Sequence, residues 1–226
     1  YGLALDADYR ADEIRSAGLT TSFRVFCRGK ELGRIELRMP GVHNVVNTLA
    51  VLAICEFLGV PFAVCQQALA EFQGVGRRFT VRGQAAIPGG EITVVDDYGH
   101  HPVEIRAVLS AAREGAQGRV IAVCQPHRYT RLGGLMDEFA SCFNDADIVY
   151  VAPVYAAGEA PIDGVSAAAL VSNLKRRGHH AAGEVESADA LATVIAEKGK
   201  PGDMVVCLGA GTISAWANAL PGKLAS

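Results

Sequence analysis

Two short segments hold most of the residue types that could do chemistry. They read Asp96-Asp97-Tyr98-Gly99-His100-His101-Pro102 and Gln125-Pro126-His127-Arg128-Tyr129-Thr130-Arg131. The guanidinium groups of Arg128 and Arg131 suit a carboxylate or phosphate that is held by paired hydrogen bonds. A solvated surface loop is the alternative for the second segment. Its position directly after an apolar run favours binding, because binding groups concentrate on loops that a buried strand positions.

The elements that must position these segments follow an alternating pattern. Short apolar runs at residues 92–95, 120–124, 148–151 and 204–208 alternate with helical patterns at 102–113, 135–143, 166–177 and 188–198. Nearly continuous apolar strands that alternate with helices predict a doubly wound α/β domain with a mostly parallel sheet. Ligands bind beyond the carboxyl ends of such strands. Polar residues follow each of the four runs, so we expect one rim that carries a site.

Several weaker interpretations of this rim stay open. Asp97 could cap the helix that Pro102 begins. A metal site is not expected, because adjacent histidines point in different directions and no third group has ligand spacing. The run Gly209-Ala210-Gly211 resembles the opening of a dinucleotide fingerprint, but Ser214 replaces its third glycine. A helix that begins after Gly211 could still accept an anion. We expect His179 and His180 to be surface residues.

The first third of the chain has a different texture. Alternation at residues 22–28 and 31–39 around Gly29 predicts two strands, and helical spacing predicts helices over 49–57 and 62–72. The glycines of Gly74-Val75-Gly76 indicate a boundary. We therefore predict two domains, over residues 1–76 and 77–226.

Residues 41–47 read Gly41-Val42-His43-Asn44-Val45-Val46-Asn47 and precede a predicted helix. Asn44 and Asn47 are three residues apart and share one face of a helical turn. Helix capping explains one of these asparagines but not both. Amides that donate and accept, beside an imidazole that can stack, suit the edge of an adenine ring. Arg77 and Arg78, at the predicted boundary, would then meet phosphate or ribose.

Composition excludes several classes of protein. Half of the 226 residues are hydrophobic and the net charge is −3, so the chain is neither disordered nor typical of a duplex-binding protein. Its apolar runs are too short to span a bilayer, and its first residues do not form a secretory signal. Six cysteines lie singly in apolar runs, which favours reduced thiols in a cytosolic protein. The chain starts at Tyr1 in a polar segment, so we expect a piece of a longer protein.

Five motifs in this order resemble the Mur ligase family of peptidoglycan synthesis. They are the segment 41–47, Gly76-Arg77-Arg78-Phe79, the segments 96–102 and 125–131, and Tyr155-Ala156-Ala157-Gly158-Glu159-Ala160-Pro161. The third and fourth motifs favour the branch of the family that adds L-alanine over the branch that ligates a recycled tripeptide. The resemblance covers essentially the whole chain. Val103 and Leu132-Gly133-Gly134 depart from the family pattern, and the second departure makes the start of the following helix uncertain.

The resemblance implies a fold and a reaction. Residues 1–76 would be the end of a central ATP-binding domain, and 77–226 a Rossmann-like C-terminal domain that closes at a hinge over 74–78. ATP would convert UDP-N-acetylmuramate into an acyl phosphate that the L-alanine amine attacks, in the cytoplasm. The family's phosphate loop and Mg²⁺ ligands are expected in a preceding segment, because no G-x-x-x-x-G-K-[ST] occurs here. This chain alone would then be inactive, and its oligomeric state stays open.

The resemblance also implies residue roles. ATP would be bound by His43, Asn44, Asn47, Arg78 and Asp97, with Asp97 holding ribose or anchoring the hinge. The alanine carboxylate and the acyl phosphate would be oriented by Tyr98, His100, His127, Arg128 and Arg131, of which the histidines and arginines form the catalytic set. The alternative is a module that binds a nucleotide or an amino acid without catalysis. An oxidoreductase built on the Gly209 turn is disfavoured by the incomplete fingerprint.

Overall fold

The computed structural model describes residues 1–72 and 74–225, which form two compact units. Unit 1 is Tyr1–Gly74 and unit 2 is Val75–Ser226, so the division falls two residues before the predicted domain boundary. Each unit has its own buried core. The two units are therefore described separately.

Unit 1 packs two helices against one antiparallel sheet. The strands β1 (Tyr9–Ala17), β2 (Thr20–Cys27) and β3 (Lys30–Leu37) lie in the order β1-β2-β3 and precede α1 (Val42–Phe57) and α2 (Phe62–Glu71). Every second residue of β2 is buried, as a sheet with one covered face requires. Positive φ values at Arg28 and Gly29 make the tight turn between β2 and β3.

The prediction of two strands for unit 1 was wrong, because β1 is a third strand. Charged residues hide its alternation: Tyr9 and Ala11 are buried, while Arg10 and Asp12 are half-buried and form an ion pair. The first helix begins at Val42, so Asn44 and Asn47 lie at its start, as predicted. Its apolar periodicity is clear only from Leu49 onward, because polar residues occupy positions in its first two turns.

Unit 2 is built on a six-stranded sheet. Its strands are β4 (Thr80–Ile87), β5 (Gly90–Asp97), β6 (Val120–Cys124), β7 (Ile148–Val151), β8 (Ala182–Glu184) and β9 (Met204–Leu208). Its helices are α3 (Pro102–Gly115), α4 (Tyr129–Gly134), α5 (Met136–Phe139), α6 (Ala167–Arg176), α7 (Ala188–Lys198) and α8 (Ile213–Leu224). The strand order is β4-β5-β9-β6-β7-β8, and only β4 pairs antiparallel with its neighbour. The predicted doubly wound, mostly parallel sheet is confirmed.

The pattern of apolar and polar residues in the sequence predicted most, but not all, of these strands and helices. The predicted bounds of β6, β7, β9 and α7 are those observed. The predicted helix over 135–143 was wrong, because the chain is helical from Tyr129, turns at Leu135 (φ −124°), and leaves α5 with four residues. The strands β4 and β8 were not predicted. β4 lies at the sheet edge and β8 has only three residues, so neither shows a long apolar run.

Helices cover both faces of this sheet. On one face, α7 and α8 share a core with Ile121, Val123 and Val205. On the other face, to which the alternate residues of the strands point, α3 contacts β6 and β9. The helix after β9 therefore lies on the face opposite to α3, the helix after β5. Where the helices that follow neighbouring strands lie on opposite faces of the sheet, a crevice opens at the carboxyl end of the central strand. In this sheet the central strand is β9.

The cysteines are free thiols that lie mostly inside the two units. Cys27, Cys65, Cys124, Cys142 and Cys207 are buried, and Cys55 is half-buried. Burial raises the pKa of Cys142 to about 12 and raises the pKa of Cys124 as well, so both stay protonated at neutral pH. These thiols act as small apolar side chains.

None of the helices in the described part of the chain combines the length and the apolar character that crossing a membrane requires.

Candidate functional site

Four aromatic and imidazole rings lie in a row at the carboxyl edge of the unit 2 sheet, and we call them the ring cluster. The ring centroids of Tyr98 and His100 are 5.2 Å apart, those of His100 and His127 5.8 Å, and those of His127 and Tyr155 5.4 Å. The last pair is stacked, with 20° between the ring planes. The cluster joins the segments that follow β5, β6 and β7, as the predicted single rim requires.

Backbone hydrogen bonds hold two of these segments together beyond the strands. The Tyr155 N–H donates to the Pro126 carbonyl oxygen and the Arg128 N–H to the Tyr155 carbonyl oxygen, both at 2.8 Å. Arg128 has a φ of 72°, an uncommon value for a residue other than glycine. These two hydrogen bonds hold His127 against Tyr155, and the positive φ at Arg128 turns the chain into α4.

The two predicted anion-binding arginines differ in their surroundings. Arg131 Nη1 lies 3.3 Å from His127 Nδ1 and 3.3 Å from the His127 carbonyl oxygen. Arg128 is half exposed, and its Nη1 is 3.8 Å from the Glu159 carboxylate. Glu159 accepts hydrogen bonds from the Thr130 N–H and hydroxyl, which lower the pKa of its carboxyl group. Arg128 therefore has the freer guanidinium for a ligand.

The environment of His127 disfavours its protonated form. Partial burial lowers its pKa first, and the positive charges of Arg131 and Arg128 lower it further. His127 is therefore a neutral imidazole at physiological pH.

The start of α3 is capped by His101 and not, as one interpretation had it, by Asp97. His101 Nδ1 accepts the Val103 N–H at 3.3 Å, and the Glu104 carboxylate accepts the N–H groups of His100 and His101 at 3.0 and 3.2 Å. Burial opposes ionisation of Glu104, but those two N–H donors outweigh it and lower the pKa of its carboxyl group. Glu104 is thus an ionised structural acceptor.

The two adjacent aspartates are occupied by this unit's own groups. Asp97 accepts the Phe79 N–H at 2.7 Å and the Gly99 N–H at 2.6 Å, which anchors the segment after the unit boundary. Asp96 is fully buried: its Oδ2 accepts from Arg82 at 2.5 Å and from the Ser214 hydroxyl at 2.6 Å, while its Oδ1 has no hydrogen-bond partner among the described residues. Within residues 1–72 and 74–225, no group of three His, Cys, Asp or Glu residues is arranged to hold a metal ion.

Arg77 was predicted, together with Arg78, to meet phosphate or ribose, and the structure shows that it has partners within unit 2. Its guanidinium carbon lies 4.8 Å from the centroid of the Tyr98 ring, and its Nη2 donates to the Gly209 carbonyl oxygen at 2.6 Å. Arg77 thus links the ring cluster to the turn after β9. The predicted ATP ligand, Arg78, is exposed.

Gln125 is a residue whose role sequence reasoning missed. Its side chain is buried, its Oε1 accepts the Ile213 N–H at 3.1 Å, and its Nε2 donates to the Thr212 hydroxyl at 3.0 Å. Gln125 therefore binds hydrogen-bonding groups at the start of α8, which the sequence had suggested as a position that could accept an anion. A Cβ atom on Gly211 would lie 2.5 Å from Gln125 Oε1 and 2.6 Å from Tyr155 Cγ. This glycine is required by close packing and not by a dinucleotide. A polar residue directly after a buried strand was the available signal for Gln125.

His179 differs from the prediction of a surface residue. Its ring Nε2 lies 2.9 Å from the Ala146 carbonyl oxygen, so this histidine fastens the loop before β7. His180 is exposed as predicted.

In unit 1 the predicted adenine-binding residues lie in the first two turns of α1. Asn44 is buried, and its amide donates to the Pro40 carbonyl oxygen at 2.7 Å, which stabilises the turn before the helix. Asn47 and His43 are exposed and four residues apart, so they share one helix face. Gly41 precedes the first helical residue, Val42, and no side chain caps the helix. The buried Asn44 uses one of its two amide N–H groups on Pro40, whereas Asn47 keeps its whole amide on the surface.

The chain is similar to a known protein family and to named relatives. Residues 77–211 match the family described as Mur ligase, glutamate ligase domain. The chain is 52% identical over 230 residues to the UDP-N-acetylmuramate–L-alanine ligase of Rhizorhabdus wittichii and 53% identical over 226 residues to that of Roseobacter denitrificans. These matches cover 100% and 99% of the chain but 49% and 47% of the relatives. The chain thus spans about half the length of the curated relatives it matches.

A solved structure supports the same assignment. The UDP-N-acetylmuramate–alanine ligase of Thermotoga maritima superposes with a TM-score of 0.79 and 31% identity, over 96% of this chain and 46% of that one. The family match covers more than half of the chain and includes the predicted motifs at 96–102, 125–131 and 155–161. This chain belongs to the Mur ligase family.

Proposed function

We propose that this chain forms the part of an ATP-dependent ligase that orients L-alanine for attack on activated UDP-N-acetylmuramate. The observation that carries the proposal is the ring cluster, flanked by Arg128 and Arg131, at the carboxyl ends of β5, β6 and β7. A guanidinium that lacks a close carboxylate partner suits the carboxylate of an amino acid. The relatives at about half identity carry the names of ligases for these same substrates.

In this proposal the chain contributes orientation. Arg128 holds the alanine carboxylate beside the ring cluster. Holding the amine beside the activated carboxyl replaces an unfavourable bimolecular encounter, which is a major source of rate in such reactions. Asn47 and His43, on the exposed face of α1, are the residues of unit 1 that we propose for adenine. ATP supplies the chemistry that activates the carboxylate, and the cytoplasm, where ATP and the UDP-sugar occur, is the proposed compartment.

The proposal is tested with a chimera in which this chain replaces the matching half of the Rhizorhabdus wittichii ligase. We expect phosphate release that requires ATP, UDP-N-acetylmuramate and L-alanine together, and no release by this chain alone. The unmodified relative is the positive control, and cooperative thermal unfolding shows that the chimera is folded. A folded chimera that hydrolyses ATP without forming the amide would contradict the proposal. Sub-millimolar binding of L-alanine or ATP to the isolated chain, measured by calorimetry, would instead support a binding module.

A further inference from the structure

We propose that the two histidines of the ring cluster present opposite hydrogen-bonding nitrogens: His100 Nε2 accepts a proton from the attacking ammonium group, and the His127 Nε2–H donates to an oxygen of the substrate. This division of roles rests on the proposed function and assigns the proton acceptor within it. Both assignments follow from what each Nδ1 contacts.

The Nδ1 atom of His100 faces only acceptors. It lies 3.0 Å from the Tyr98 carbonyl oxygen and 3.5 Å from the Glu104 carboxylate. A carbonyl oxygen has no hydrogen to give, so Nδ1 must carry one. In the neutral ring Nε2 then holds the lone pair.

The Nδ1 atom of His127 faces a donor that cannot lose its proton. Arg131 Nη1 lies 3.3 Å away, and a guanidinium group donates but does not accept. Nδ1 of His127 must therefore hold the lone pair, which leaves the hydrogen on Nε2. A second proton on this ring would point at Arg131, so His127 stays neutral and serves as a donor.

The other acidic groups at this edge are poor proton acceptors. Glu104 and Glu159 each accept two hydrogen bonds, and the pKa of each carboxyl group is lowered. Asp97 accepts two backbone N–H groups, and Asp96 is fully buried against Arg82. Among the residues that the structure describes at this edge, His100 Nε2 is the neutral lone pair that remains for a proton.

The proposed step balances as follows. The alanine ammonium gives one proton to His100 Nε2, and the freed nitrogen lone pair forms a bond to the carbonyl carbon of the acyl phosphate. The His127 Nε2–H donates to the oxygen that gains negative charge. The carbon–oxygen bond to phosphate then breaks, and phosphate leaves with that electron pair and takes up the second amine proton. His100 releases its proton to water.

The tautomers can be measured directly on this chain, without any activity. Long-range ¹H–¹⁵N spectra distinguish a protonated from an unprotonated ring nitrogen, and the variants His100→Gln and His127→Gln assign the signals. We expect the hydrogen of His100 on Nδ1 and that of His127 on Nε2 at neutral pH. The same tautomer in both rings, or the reverse arrangement, would overturn the proposal whatever the chain's function is.

The proton-accepting role is tested in the chimera by comparing two nucleophiles. Hydroxylamine is neutral at neutral pH and needs no base, so it reports whether the acyl phosphate forms. We expect His100→Gln to slow amide formation with L-alanine by about 10²-fold or more, as loss of a general base does, while hydroxamate formation changes only a few-fold. The matched control His180→Gln changes an exposed histidine and should leave both rates unchanged.

The outcomes separate the two proposals. If His100→Gln lowers both rates equally, its role is structural and the base assignment is overturned. If the unsubstituted chimera is folded but forms neither product, the proposed function fails, and the tautomer measurement still decides the inference.

Discussion

The amino ends and the carboxyl ends of the strands in the unit 2 sheet, which we call its amino edge and its carboxyl edge, contain similar charged residues but use them differently. At the amino edge, Asp203 is 1% exposed and accepts hydrogen bonds from the Arg119 N–H and guanidinium and from the Lys200 N–H. Arg113 likewise pairs with Asp147, which also accepts the Val120 N–H. At the carboxyl edge, Arg128 has half of its side chain exposed and its nearest carboxylate at 3.8 Å.

The difference teaches how to separate structural from functional charges. A buried charge whose hydrogen bonds are all made within the protein contributes to stability and has nothing left for a ligand. A guanidinium with a distant partner, or an imidazole nitrogen with none, has that capacity. The charged residues at the amino edge therefore hold β6 and β9 together, and the carboxyl edge is the binding edge.

The largest expected effect is at the amino edge. Asp203→Asn keeps the shape of the side chain but leaves Arg119 without its charge partner, so we expect the free energy of unfolding to fall by about 2 to 3 kcal/mol. The exposed Asp189, which pairs with Lys223, offers the control Asp189→Asn with little change. Urea unfolding measures both, and a loss for Asp203→Asn no larger than the control's would contradict a structural role for this edge.

This effect also depends on pH. Burial opposes ionisation of Asp203, but Arg119 and the Lys200 N–H outweigh it and lower the pKa of its carboxyl group. The folded value lies below the unfolded value of about 4, so the ion pair stabilises the fold above that pH and loses its contribution as pH falls through the folded pKa. The difference in the free energy of unfolding between wild type and Asp203→Asn should therefore become smaller in acid.

An intermediate effect is expected at the carboxyl edge from Gly211→Ala. The added Cβ would overlap Gln125 and Tyr155, and overpacking of this kind costs about 1 to 3 kcal/mol. Gly222 in α8 has open space around it, so Gly222→Ala is the matched control and should be neutral or slightly stabilising. Both variants are compared by thermal unfolding and by the histidine ¹⁵N signals. If Gly211→Ala leaves the signal of His127, stacked on Tyr155, unchanged, the glycine does not support the ring cluster.

The smallest effect on stability is expected from Arg128→Ala. Its ion pair is exposed and long, so the free energy of unfolding should change by less than about 0.5 kcal/mol. In the chimera, however, the KM for L-alanine should rise by about tenfold or more, because a charged hydrogen bond to the carboxylate is lost. Arg177→Ala removes another exposed, ion-paired arginine and is the control. An unchanged KM would remove Arg128 from the binding edge.

Much of the unit 2 fold was predictable from local pattern. β6, β7 and β9 are short apolar runs that are almost wholly buried, and such runs indicate a parallel sheet covered on both faces. The polar segments after β5 and β6 were predicted to form one rim, and the structure brings His100 within 5.8 Å of His127. The short edge strands and the charged strand β1 were not predictable, because their periodicity is weak or hidden.

The sequence by itself determined the alternation of strands and helices, the family motifs and the positions of the polar segments, because each depends on neighbouring residues only. Tertiary structure decided which side chains are already occupied: Asp97 and Asn44 bind backbone groups, and Gln125 caps α8. It also decided which groups the two Nδ1 atoms face, since Arg131 lies against His127 and the Tyr98 carbonyl against His100. These contacts depend on strand order and on long-range packing, and local periodicity carries no information about either.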